Sequence, residues 1–484
     1  MKIKMGKMYK YFLKGEEPMK HLKYLLSLVM IISIVLSFSG CSFRFSSFDS
    51  LLRPPKLSGE YQGLQDTFEK LVDKDYSLST PENGLYRSAF IVYDFDKDKS
   101  LEAIVFYTEK KKPDLVKFYY FESNDGAFTP VASYDGLGSS VDEVKIADLN
   151  HDGKFEIIIG WNLFSSKTNK AFAVYDISSG KLKLLSSFPY SYLDIIDVNG
   201  DGIDDIFAMS VDSSVSDHYT SAATAYTYDA KTSSLQVLST VKTDGNISSY
   251  ADITVEKVDD TRLIYVEAYK GENDMITEVI YWDDNTNALV SPLFDVSTQT
   301  TTQTLRHMKL SCRDIDNDGF IEIPVSVDMN GSSIVDNSAP QTLLTASADN
   351  TVNQTKSLYY TKWVKFRDDK LRAVQYSVID ENGGYVLNIP SSWVGRITVL
   401  GNDGQWDFYR WESYDEKLGK LLFSINYYDK NDSTLKQKYK NTKLLASYSS
   451  TDYVYTITED GEYFGVTDDI LTSNFNTTVL GGKK

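Results

Sequence analysis

The sequence predicts a mainly β fold built from a repeated four-stranded unit and followed by a smaller α+β module. Three observations carry this. A nine-residue acidic loop, D-x-[DN]-x-D-G-x-x-[DE], is written at 148, 197 and 314 and, with one change, at 94. Apolar stretches rich in Val, Ile, Phe and Tyr enter and leave every copy. The chain also carries 34 Tyr and only 11 Pro in 484 residues, a composition that favours strands over disorder.

Taken in order, the chain opens with Lys2, Lys4, Lys7, Lys10, Lys14, Lys20 and Lys23, then an apolar run from Tyr24 to Phe38, then Ser39-Gly40-Cys41. A basic start, a short apolar core and small residues before the cut describe a secretory signal over 1–40. Met19 offers a second start that leaves a more compact signal. The run falls short of the roughly 20 residues needed to span a bilayer. Cys41 directly after Ser-Gly resembles the bacterial lipobox, which implies lipidation of Cys41 and an anchor on the extracytoplasmic face of the cell membrane; Phe38 departs from the Leu more usual there. Cys41 and Cys312 are the two cysteines, so a lipidated Cys41 leaves no disulfide. Cys312 reads as a small buried residue. Cleavage before Cys41 takes the formal charge from −18 to −23, which argues against nucleic acid or anionic headgroups as partners.

Residues 41–84 then read as the lipidated Cys, a tether stiffened by Pro54-Pro55, and an amphipathic helix over 60–73 from the spacing of Leu64, Phe68 and Leu71 or Val72. This helix is placed to dock under the next domain. From Leu85 an apolar strand approaches each loop (Ser88-AFIVY, Val144-KIA, Tyr192-LDII, Met308-KLSCR) and another leaves it (Glu102-AIVFY, Glu156-IIIGW, Asp205-IFAMS, Glu322-IPVSV). Each loop is therefore the turn of a hairpin. Two further alternating stretches follow the first two hairpins, giving four strands per unit. The loops start at 94, 148, 197 and 314, and the last gap is about two periods long. Ile253-TVEKVDDTRLIYVEAY fits the missing unit, with Asp259-Asp260 as a turn that has lost its ligands. A period near fifty residues with four strands each describes propeller blades, about five of them over 85–378. Met329–Lys356, rich in Ser, Thr, Asn and Asp, reads as a long surface loop.

Carboxylates at positions 1, 3 and 5 converge when the backbone curls, Gly at position 6 allows the turn, and the acid at position 9 returns from the next strand. Hard oxygen ligands in such a loop suit calcium. The candidate ligands are Asp148, Asn150, Asp152, the Lys154 carbonyl and Glu156; Asp197, Asn199, Asp201, the Ile203 carbonyl and Asp205; Asp314, Asp316, Asp318, the Phe320 carbonyl and Glu322; and, in the weaker copy with Lys99 in place of Gly, Asp94, Asp96, Asp98 and Glu102. The competing reading is that Asp and Asn cap tight turns through their own backbone. Strand, loop, strand in this form is similar to the FG-GAP or VCBS repeats of integrin-α-type β-propellers. That resemblance implies a calcium-holding propeller and specifies no partner.

From Ile379 the repeat stops. Residues 379–484 read as an α+β module with strands in Gly384-YVLNI, Arg396-ITVL, Gln405-WDFYRWESY, Lys420-LLFSINYY and Leu444-LASYSSTDYVYTI. A short helix is expected over 433–440, and a closing helix behind Thr467 as N-cap. Signals for catalysis are thin. His151, His218 and His307 sit in no zinc spacing, no G-x-S-x-G elbow occurs, and carboxylate pairs are too common in this acidic chain to single one out. Trp393, Trp406 and Trp411 with Tyr409 form the candidate exposed patch for stacking on a sugar, against the commoner role of such rings in cores. The function expected is a non-enzymatic binding or adaptor module at the cell envelope, partnered by a cell-wall glycan or an envelope protein. The alternative is a carbohydrate-active enzyme or its accessory subunit.

Overall fold

The computed structural model describes residues 62–73, 75–163, 170–178, 180–212, 220–336, 354–402 and 404–477. The expected signal over 1–40, the lipidated Cys41 and the tether lie outside the described residues. The chain divides into Met1–Gln65 and Asp66–Lys484, and every sheet belongs to the second unit. Among the described residues, no helix is long and apolar enough to cross a membrane.

The first helix, α1 (Gln62–Glu69), is shorter than the expected 60–73. It tightens after Glu69 through bonds from the amides of Lys70 and Leu71 to the carbonyls of Thr67 and Phe68. Phe68 docks as the spacing predicted. It is fully buried, edge-on to Tyr76, Phe90, Tyr107 and Tyr119.

Five antiparallel sheets follow. In the first, β1 (Tyr76–Leu78) and β2 (Phe90–Tyr93) pair with opposite ends of β3 (Glu102–Glu109), which leads to β4 (Lys112–Asn124) and β5 (Ala127–Asp135). The second runs β6 (Ser140–Ala147), β7 (Glu156–Asn162), β8 (Lys170–Ser178), β9 (Lys181–Tyr190). The third is β10 (Tyr192–Ile196), β11 (Asp205–Asp212), β12 (Thr220–Asp229), β13 (Ser234–Thr243). The fourth is the unit expected between 197 and 314: β14 (Ser249–Val258), β15 (Thr261–Lys270), β16 (Asp274–Asp283), β17 (Ala288–Val290), with Asp259 left-handed in the first turn. Successive sheets pack face to face. Ile157, Ile159 and Trp161 of β7 meet the first sheet, while Ile158 on the other face meets Leu193, Ile206 and Ala208 of the third. This is why β7 is apolar without a break from Ile157 to Trp161: alternate side chains point to opposite faces, and both faces are covered.

The fifth sheet departs from the sequence reading in three ways. Met308–Arg313 forms only an isolated bridge, Arg313 with Glu322, before β18 (Glu322–Asp328). Its backbone groups are diverted to buried side chains: the Cys312 amide donates to Glu267, and the Leu310 carbonyl accepts from Arg306. Second, the stretch read as a surface loop holds β19 (Ser333–Asp336) and β20 (Gln354–Lys356), which pair with each other; residues 337–353 lie outside the described residues. Ile334 and Val335 are β-branched, which suits a strand. Third, the boundary placed between 378 and 379 falls inside a strand. The sheet continues through β21 (Tyr359–Arg367), β22 (Lys370–Asp380) and β23 (Tyr385–Ile389), so its fourth strand comes from the stretch assigned to the next module.

After a 3-10 turn at Ser391–Trp393 come β24 (Ile397–Asn402), β25 (Gln405–Glu412), β26 (Lys417–Asp429), α2 (Ser433–Lys438), β27 (Lys443–Tyr448) and β28 (Thr451–Ile457). These strands and the β19–β20 pair make a seven-stranded sheet in the order β20-β19-β24-β25-β26-β28-β27, and β19 runs parallel to β24. The chain then forms α3 (Glu459–Phe464) and α4 (Asp468–Asn474), and β29 (Phe475–Asn476) pairs with β23. Thr467 caps α4 by accepting from the Ile470 amide, as expected. The helix α3 was not anticipated; Thr458 caps it in the same manner and Gly465 ends it. Trp393 and Trp406 lie in the core between the fifth sheet and this one, so they cannot stack on a sugar.

Candidate metal centre

The four loops share one hydrogen-bonded frame. The carboxylate at position 1 accepts from the amide at position 6: Asp94 from Lys99 at 3.2 Å, Asp148 from Gly153 at 3.0 Å, Asp197 from Gly202 at 3.1 Å, Asp314 from Gly319 at 2.9 Å. Position 3 accepts from position 5, and position 5 from position 7, in every copy. The acid at position 9 reaches back from the following strand to the amide at position 2: Glu102 to Phe95, Glu156 to Leu149, Asp205 to Val198 and Glu322 to Ile315. Position 6 is left-handed throughout, with φ of 88°, 85° and 88° at Gly153, Gly202 and Gly319 and 76° at Lys99. Glycine takes that conformation freely, whereas Lys99 holds it at a cost of about 1 kcal/mol. His151 occupies an exposed, left-handed position 4, clear of the ligand set.

This frame gathers the predicted ligands unevenly. Carboxylate oxygens of Asp94, Asp96 and Glu102 lie within 4.8 Å of one another, and so do those of Asp314, Asp316 and Glu322. In the loops at 148 and 197 position 3 is an amide. Asn150 donates to Glu156 at 2.7 Å and Asn199 donates to Asp201 at 3.0 Å. Asp98 holds the Ser100 amide, and Lys154, Ile203 and Phe320 have their amides held by the position 5 carboxylates, Asp152, Asp201 and Asp318.

Burial dominates the electrostatics of position 9. It pushes Glu102 and Glu156 up to about 7 and Asp205 up to about 6, against the opposing pull of backbone amides. Burial also raises Glu322, opposed by the Ile315 amide and Lys365. A buried carboxylate at the floor of an acidic loop is a group that a cation would stabilise. Asp94 Oδ1 makes the same point: it is buried and, among the described residues, has no hydrogen-bond partner. The residues of the 94 loop thus fit a hard divalent cation held by oxygen, despite Lys99. Bound there, the ion would supply charge compensation and a rigid turn.

Sequence reasoning missed the protein's own cations around these loops. Lys365 of β21 places Nζ 3.0 Å from Glu322 and 3.3 Å from Asp316, and it also hydrogen-bonds Asp318. Arg262 of β15 reaches Asp197 at 2.7 Å. Lys154, from the 148 loop, stands 3.6 Å from Asp96, and Lys97 sits over the Phe155 ring at 4.0 Å. Arg262 and Lys365 lie tens of residues from the acids they meet, so no local motif announces them.

No protein-family model and no curated protein matches the chain. Solved structures are similar at low identity. A protein from Lactobacillus plantarum aligns at 10% identity and TM-score 0.28, over 71% of this chain and 86% of its own. The exotype rhamnogalacturonan lyase YesX aligns at 10% identity and TM-score 0.28, over 80% and 91%. The periplasmic gluconolactonase PpgL of Pseudomonas aeruginosa aligns at 14% identity and TM-score 0.25, over 73% and 90%. Scores of this size carry no argument about activity.

Proposed function

We propose that the chain is a lipid-anchored, extracytoplasmic binding or adaptor module of the bacterial cell envelope, whose successive sheets form an FG-GAP/VCBS-like propeller of about five blades stiffened by calcium. The observation that carries this reading is the shared carboxylate frame, which precedes a strand of the first, second, third and fifth sheets. It is the arrangement expected of a repeat that holds hard cations through oxygen. A stiff, preformed face suits recognition of a cell-wall glycan or an envelope protein, and Cys41 would hold that face at the membrane.

The test is co-sedimentation of the purified chain with cell wall and with insoluble glycans, in calcium and in EDTA. Calcium-dependent retention without turnover supports the adaptor. Release of new sugar ends would move the assignment to the carbohydrate-active alternative. No retention on any glycan, with cross-linking in cells to one dominant protein, would name an envelope protein as the partner. Cys41→Ala is expected to release the protein from the membrane fraction, and retention would refute the anchor.

A further inference from the structure

The four loops share a frame but not an electrostatic state. In the loop at 314, the Lys365 ammonium sits among three acids and its side chain is only 14% exposed, facing a Glu322 side chain that is 0% exposed. It meets Asp316, Asp318 and Glu322 together, the acids of positions 3, 5 and 9. In the loop at 197, the Arg262 guanidinium donates to the same Asp197 oxygen that accepts from the Gly202 amide. Both cations come from inner strands of sheets; Lys365 is paired on both sides, and Arg262 pairs with Lys257 of β14. The loop at 94 differs. Lys154 is 45% exposed and stands beyond hydrogen-bond distance from Asp96.

We propose that Lys365 and Arg262 are the resident cations of the loops at 314 and 197, so that these two turns hold their shape without metal and calcium is taken up at the loops at 94 and 148. The assignment of calcium to 94 and 148 rests on the reading above; the role of Lys365 and Arg262 does not. A point charge or a guanidinium delivered by the chain needs no free ion, and the acids it meets offset the cost of stripping its water. In the loop at 314 the ammonium stands among the converging oxygens of Asp316 and Glu322, the place a divalent cation would take. The motif thus overstates the number of calcium sites. The residue that decides between metal and resident cation lies on a strand remote in sequence.

Hydrogen exchange of the full chain in detergent, in EDTA and in calcium, separates the two ideas. The amides of Gly202 and Gly319 are expected to be protected in EDTA and unchanged by calcium, while those of Lys99 and Gly153 gain protection only with calcium. In Lys365→Met the Gly319 amide should lose its protection in EDTA and regain it in calcium; Arg262→Gln should do the same to Gly202. Protection of Gly202 and Gly319 in the unaltered protein that appears only with calcium overturns the proposal. So does equilibrium dialysis showing calcium at all four loops. If Lys99 and Gly153 ignore calcium while Gly202 and Gly319 behave as described, the calcium reading fails and the resident cations stand. Should Lys365→Met not fold, Lys365→Arg and the unaltered protein still decide the question.

Discussion

Replacing Glu156 with Gln should stabilise the protein in one condition and destabilise it in another. Glu156 is fully buried at the base of the 148 loop, where it accepts from the Leu149 amide at 2.7 Å and from Asn150 Nδ2 at 2.7 Å. Burial moves its carboxyl from 4.5 to about 7. The folded state therefore holds the proton more tightly than the unfolded state. The corresponding stability is fully present below pH 4.5 and is lost as pH rises towards 7. Its full size is about 3 kcal/mol, and solvent screening at the loop mouth reduces this to about 2 kcal/mol. Gln carries no charge to desolvate, but its amide group opposes that of Asn150, a loss of about 1 kcal/mol. In EDTA at pH 8 the variant should gain about 1 kcal/mol, and at pH 5 it should lose about 1 kcal/mol. In calcium the order reverses at pH 8, because the variant lacks a ligand and gives up part of a linkage worth about 2.7 kcal/mol at a hundredfold excess over Kd. Urea unfolding of the full chain in the three conditions reads all of this. Destabilisation at pH 8 in EDTA would refute the uncompensated carboxylate, and an unchanged order in calcium would remove the metal from this loop.

Other outcomes follow from the packing. Arg306→Met leaves Glu267, its partner at 2.7 Å, buried and uncompensated, and should cost about 3–5 kcal/mol in urea unfolding. Arg306→Met with Glu267→Leu should recover most of that loss, and a double variant as weak as the single would show that packing, not charge, holds the site. Phe68→Ala should cost about 3–5 kcal/mol, since its ring is enclosed by four aromatic neighbours; a loss below 1 kcal/mol would mean α1 does not dock. Gly461→Ala should cost about 1–3 kcal/mol, because a Cβ there would stand 2.0 Å from the Leu422 carbonyl oxygen, and an unchanged melt would refute that close approach.

The loops and the strands beside them were legible because both are local. Acids at alternate positions and a left-handed turn lie within nine residues, and an unbroken apolar run such as Ile157–Trp161 is what a strand covered on both faces requires. Even the unit without ligands could be placed by spacing. Legibility failed where long-range partners decide. Met308–Arg313 looks like every other approach strand, but Arg306 and Glu267 take its hydrogen-bonding groups, and that pair is 39 residues apart. The module boundary failed for a related reason: Tyr385–Ile389 reads as the start of something new, and only its pairing with β22 assigns it to the fifth sheet. The same limit applies to the candidate centre. Spacing gives the acids of the 197 and 314 loops, and nothing near them in sequence names Arg262 or Lys365.

Those cations belong to a wider arrangement that answers a problem posed by composition. Sheets coated on both faces with Val, Ile, Phe and Tyr are nearly interchangeable as packing partners, and burial alone would not select one neighbour over another. Each seam between successive sheets carries an ion pair as well. Lys154 meets Asp96 at the first seam, Lys145 meets Asp194 at 2.8 Å at the second, Arg262 meets Asp197 at the third, and Arg367 meets Glu256 at 2.6 Å at the fourth. The most exposed of these, Lys154 with Asp96, contributes about 1 kcal/mol or less. Arg367 with Glu256 is largely buried and its desolvation offsets much of its attraction, so the apolar clusters hold the seams together. A wrong neighbour, however, would confront acid with acid in a chain that carries 68 acidic and 50 basic residues. Short connections, such as the single residue between β9 and β10, already make successive sheets neighbours, and the seam cations add charge complementarity to an order that the chain itself sets.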